Sequence, residues 1–324
     1  MAIPEGHIKD MFVRWADRYD ARPVDEKQLE LTDRILVPEL GAIEAELLEL
    51  RKAFDVRILQ ALKDDPPKFP KKLLKDPSIR NHFTYPVGYC AAIRDGMFED
   101  VSAQLHCPST PGISAISRFV GEGGCLKKVG GIQHRQFFQN GIQAGALWLD
   151  AANNTVDVDS PPVKISVLAN SGFQNIDDFS LCGDVIESYW KSDVYPQRVF
   201  PYLSPLFPII YVSSGGRVHV LPINISGIAN NVFSDFKMAE DFMFRSRFAG
   251  KRLPAKQMNR IKRKYPGANK SENPFEHLNP DDSVIAASFE CFRSLNPNEL
   301  FSRVEKAIDL TKGINDALEN IPKI

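Results

Sequence analysis

Histidine 134 is where chemistry can first be sought. It lies in GGIQHRQFFQNG, residues 130–141, where glycines, three glutamines, an arginine and an asparagine can line a pocket while Phe137 and Phe138 pack beneath. An imidazole changes charge near neutral pH, so His134 can serve as acid, base or metal ligand. Three carboxylates follow, Asp150, Asp157 and Asp159. Their oxygens suit Mg²⁺, Mn²⁺ or Ca²⁺. If ALWLDA and TVDVD are strands joined at Asn153-Asn154, Asp150 stands opposite Asp157, with Asp159 two residues further along that face. Like charges directly opposite are destabilising. The spacing therefore calls for a solvated face, another register, or a cation.

Cys125 follows Gly123-Gly124 and precedes Leu126-Lys127-Lys128. A thiol at a helix start near cations has a lowered pKa and becomes a nucleophile. With His219 on a later strand and Asn224 beyond, the chain order resembles that of papain-like and transglutaminase-like acyl-transfer enzymes. The local sequence at Cys125 does not match them. Asp157-Val158-Asp159 has the DxD form that some glycosyltransferases use to hold a nucleotide-sugar metal, but no nucleotide-binding βαβ unit precedes it. His82, His106, His134 and His219, with Asp150 or Glu122, supply ligand types enough for iron or zinc. No HxD, HExxH or ExxH spacing organises them. No cofactor is identified by these residues; a divalent metal is one that they could hold.

One stretch carries a local charge signal. Between Arg245 and Lys264, nine of twenty residues are basic and none is acidic, in a chain with 40 Lys+Arg against 41 Asp+Glu. Arg245, Arg247, Lys251 and Arg252 are the expected anion clamp, and Lys256, Arg260 and Lys264 recur at helical steps of four. Such a surface attracts phosphates and carboxylates through charge-assisted hydrogen bonds. Its expected ligands are a small anionic substrate, a nucleic-acid backbone, an acidic partner, or acidic helices of the same chain.

These residues need elements to position them. From Asp25, apolar residues recur at steps of three or four through Leu62, which predicts helices with one packing face, interrupted near Pro38. The alternative role for the same stripe is a coiled-coil or homodimer seam, although the heptad is not strictly sustained. Helices are also predicted over 86–105, 111–120, 176–191, 234–264 and about 297–318. Runs rich in Val, Ile and aromatics predict strands over 145–168, 194–200 and 206–225. Ser213-Ser214-Gly215-Gly216 is a hairpin turn by its glycines. The order helices, strands, helices gives an α+β protein with a helical N-terminal region, a central antiparallel or mixed sheet, and a C-terminal helical layer. One compact domain over 1–324 is expected, helical to about 135 and sheet-containing from 136.

No 18-residue apolar run argues for a membrane span. Five scattered cysteines without a CxxC pair fit a reducing compartment, so a cytoplasmic location is expected. The function these features point to is an intracellular enzyme acting on a small anionic substrate, with His134 as acid/base or metal ligand. The alternatives are a non-catalytic interaction or nucleic-acid-associated protein using residues 245–264, and a cysteine enzyme using Cys125 and His219.

Overall fold

The computed structural model describes residues 5–65, 85–221, 223–264 and 281–319. The chain is α+β: helices precede, separate and follow two antiparallel sheets. It folds as two compact units, one spanning Tyr19–Asn175, the other joining the residues up to Arg18 with those from Ile176 onward. Helix α1 (Glu5–Ala16) therefore belongs to the second unit.

The first unit begins with α2 (Glu26–Leu31), capped by Asp25, whose carboxylate accepts the Gln28 N–H at 2.8 Å. A π turn (Thr32–Leu36) and a 3-10 turn holding Pro38 lead into α3 (Leu40–Asp64). Proline thus sits where its missing N–H costs nothing, and it separates two helices as the sequence predicts. On α3, Ile43, Leu47 and Arg51 form one buried stripe at steps of four. Ile35, Leu36, Ile43 and Leu47 join the core of their own unit, so this part of the stripe is a packing face.

Helix α4 (Cys90–Gln104) buries Ile93, Met97 and Val101 on one stripe. Thr110 caps α5 (Pro111–Gly121). There Gly112 lets two helices touch: a Cβ at that position would fall 2.7 Å from the Ala42 carbonyl oxygen.

Strands follow earlier than the sequence suggests. β1 (Leu126–Gln133) and β2 (Phe137–Ala144) form a long hairpin, β3 (Leu147–Asp150) and β4 (Lys164–Val167) continue the sheet, and short β5 (Phe173–Gln174) flanks β1. All pairings in this β4-β3-β2-β1-β5 sheet are antiparallel. The expected Asn153-Asn154 hairpin is absent. Asn153–Thr155 is a 3-10 turn, and Asp150 pairs with Lys164, not Asp157. Asp150 itself ends the strand, because its carboxylate accepts the Ala152 N–H at 2.9 Å and turns the chain aside.

The second unit resumes with α6 (Phe179–Ser188), capped by Asp178. β6 (Asp193–Pro196), β7 (Ile209–Val212) and β8 (Val218–Val220) form a three-stranded antiparallel sheet. The Ser-Ser-Gly-Gly hairpin joins β7 to β8 as expected, with Gly216 at φ 74°. Then come α7 (Ile225–Phe233), α8 (Lys237–Phe244), α9 (Ala255–Lys264), α10 (Asp282–Arg293) and α11 (Pro297–Glu319). The single helix expected over 234–264 is broken, since residues 245–254, with Gly250 and Pro254, are not helical. Asn315 on α11 closes the edge of β8: it accepts the Val220 N–H and donates to the Val220 carbonyl, both at 2.9 Å. α1 packs on α7 and α11, where Phe12, Trp15 and Phe301 form an aromatic cluster. Among the described residues no helix is long and apolar enough to cross a membrane.

Candidate functional site

His134 sits at the tip of the β1–β2 hairpin, so it joins two strands rather than a helix and a strand. His134 and Arg135 are both exposed and both left-handed, with φ of 53° and 58°. His134 N–H donates to the Gly172 carbonyl at 2.8 Å, and the ring lies so close to Gly172 that a Cβ there would meet Nδ1 at 2.1 Å. The histidine is therefore solvent-facing, with its ring against the Gly172 backbone.

Cys125 is not at a helix start. It leads into β1, with its N–H donating to Gln28 Oε1 at 2.7 Å and its carbonyl accepting from Gly145 at 2.8 Å. His219 lies buried on β8, stacked on Tyr211 with centroids 4.7 Å apart. Asn224 caps α7 by accepting the Gly227 N–H at 2.7 Å. Cys125 and His134 belong to the first unit and His219 to the second.

The three aspartates part company. Asp150 is 1% exposed, while Asp157 and Asp159 are exposed in the β3–β4 connection. Asp157 accepts the Asp159 N–H at 3.2 Å and the Ser160 hydroxyl at 3.1 Å, a local turn. Among the described residues no group of three or more His, Cys, Asp and Glu side chains is placed to hold a metal ion. His82 lies outside the described residues.

Burial pushes the Asp150 carboxyl up to about 6, against the Ala152 N–H, the Gln139 amide at 3.1 Å and the charge of Lys164. Sequence reading missed the polar groups around this corner. Arg51, 1% exposed, donates from Nε to Asp55 at 2.6 Å and from Nη1 to the carbonyl of Ala151. Arg94, also buried, donates to Asn140, whose amide donates to Cys90 Sγ at 3.1 Å. Burial raises the Cys90 thiol, so it stays protonated and poorly nucleophilic. These contacts fasten α3 and α4 to the sheet.

The basic run divides at Pro254. In its first half every expected clamp residue is engaged within its own unit. Arg245 pairs with Asp241. Arg247 donates to Asp184 and Glu187, each at 2.7 Å, and Lys251 reaches Glu187 at 2.5 Å. Arg252 donates to the Ala249 carbonyl at 3.1 Å and lies 3.7 Å from Asp282. Burial acts to raise the Glu187 carboxyl, but Lys251 and Arg247 outweigh it and hold the group below its usual range. A cleft of about 600 Å³ opens beside Arg245, lined also by Asp177, Asp178, Lys237, Asp241 and Ser246. Three carboxylates against two cations do not make an anion site.

The second half is α9. Met258 and Ile261 are buried, fixing which side faces inward, and α9 contacts α11. Arg260 ties the helix to the β7–β8 turn by donating to the Gly216 carbonyl at 3.1 Å. Lys256, Asn259, Arg263 and Lys264 are exposed. Among the described residues no carboxylate forms an ion pair with Lys256, Arg263 or Lys264. No family model, curated protein or solved structure matches this chain.

Proposed function

We propose that this chain is a non-catalytic interaction protein that binds a nucleic-acid backbone through α9. One observation carries the reading: three exposed cations, Lys256, Arg263 and Lys264, lack carboxylate partners among the described residues. The cations just upstream are bound to groups of their own unit. Crowded like charges on a helix repel, so an unneutralised basic face is costly in isolation and gains from an external anion. A small anionic substrate has less support, because its expected clamp is already occupied and His134 lies in the other unit.

The test is fluorescence anisotropy with a labelled 20-base-pair duplex, titrated between 50 and 200 mM salt. Each phosphate neutralised contributes about −0.9 to the slope of log K against log salt. Three such contacts give a slope of roughly −2.7. The variant Lys256→Gln/Arg263→Gln/Lys264→Gln should lose most of both slope and affinity. Absence of binding at 50 mM salt, or an unchanged slope in the variant, would overturn the reading.

A further inference from the structure

The outward face of α9 carries more than charge. At 100° per residue, Lys256, Asn259, Arg260 and Arg263 fall within an arc of about 100°, opposite Met258 and Ile261. Arg260 is committed to the Gly216 carbonyl, which leaves Lys256, Asn259 and Arg263 facing outward. Asn259 thus lies one turn from each cation, with its amide exposed between them.

Several ligand chemistries fit this face poorly. A lipid surface requires an amphipathic helix to lend its apolar side, and here Met258 and Ile261 are buried in the protein. Single-stranded nucleic acid is gripped by aromatic stacking, and the outward face has no aromatic residue. Duplex RNA hides its base edges in a deep, narrow major groove. The major groove of B-form DNA, about 12 Å wide, admits a helix about 10–12 Å across with its side chains. An asparagine amide matches the N6/N7 edge of adenine, while flanking lysine and arginine reach phosphates.

We infer that α9 reads the major groove of duplex DNA, with Asn259 on a base edge and Lys256 and Arg263 on flanking phosphates. This rests on the polyanion reading above and narrows it. The full chain is offered a random 20-base-pair duplex library, and binding of the selected duplex is compared with a single strand and with heparin. The expected result is an enriched site containing adenine and preferred over the other two probes. Asn259→Ala relaxes that position roughly tenfold, in line with one bidentate base contact. Lys256→Gln weakens all sequences alike and lowers the salt slope by about one. Asn259 is exposed, so its variant should keep the parent's circular dichroism and melting temperature. An unenriched library, equal binding of heparin and single strand, or unchanged selectivity in Asn259→Ala would refute groove reading yet leave the polyanion reading intact. No binding to any of the three probes would sink both.

Discussion

Replacing Asp150 with asparagine should abolish a specific pH dependence of stability. The carboxyl titrates at about 6 in the folded chain, against 3.8 ordinarily, chiefly because it is buried. Below about pH 4 it is protonated in both folded and unfolded chains and costs nothing. Between about 4 and 6 the unfolded chain releases the proton while the folded chain keeps it, so stability falls as pH rises. Above about 6 the loss levels off at about 3 kcal/mol, from about 1.4 kcal/mol per unit of pKa difference. Other carboxylates act oppositely: Glu122 and Glu187 are held low by basic partners and lose stability in acid.

Only the difference between parent and variant isolates Asp150. Asparagine keeps an oxygen for the Ala152 N–H but presents an amide to the Gln139 amide, a pH-independent cost of about 1 kcal/mol. Relative to the parent, Asp150→Asn should therefore gain about 2 kcal/mol between pH 4.5 and pH 7. Urea denaturation followed by Trp148, which is buried and stacked on Phe173 in the same unit, gives the readout. A background lacking Trp15 and Trp190 confines the signal to this unit. Parallel stability curves for parent and variant across that range would refute the reasoning.

Two further outcomes test the packing. Gly112→Ala should cost about 1–3 kcal/mol, because its Cβ would meet backbone atoms of Ala42 and Ile43 at 2.7–3.0 Å, which cannot yield as a side chain can. An unchanged urea midpoint would show that α3 and α5 separate freely. Arg51→Met should cost about 2–4 kcal/mol by stranding the Ala151 carbonyl and the Asp55 carboxylate. The same denaturation assay decides it, and a neutral result would mean that apolar volume alone suffices there.

What the sequence made legible was mostly periodic. The stripe through Ile43 and Leu47, the break at Pro38 and the Ser-Ser-Gly-Gly turn all rest on local geometry, and each has its counterpart in the fold. β1 and β2 were obscured because Gly130, Gly131 and Gly141 interrupt the alternation that marks a strand. At Gly131 the reason is a close neighbour: a Cβ there would fall 2.2 Å from the Gln174 carbonyl oxygen. Arg51 continues the α3 stripe, but its charge reads as surface until the carbonyl and carboxylate that receive it are known. Asn153-Asn154 imitates a hairpin, because the competing bond from Ala152 to Asp150 leaves no trace in composition. The basic run looks uniform from Arg245 to Lys264. Only the placement of Asp184, Glu187 and Asp241 separates its neutralised half from the other.

The first unit interrupts the second, and its two ends are fastened together. Asn175 accepts the Ala21 N–H at 2.7 Å and donates to the Ala21 carbonyl at 3.1 Å. This arrangement fixes an order of events during synthesis. α1 is translated before its partners α7 and α11, which begin only at Ile225 and Pro297. It must wait as an unsatisfied amphipathic segment while the whole interrupting unit is made. With its ends clamped at Ala21 and Asn175, that unit can complete its own core. The loop that α1 must later close is then far shorter in effect than its length in sequence.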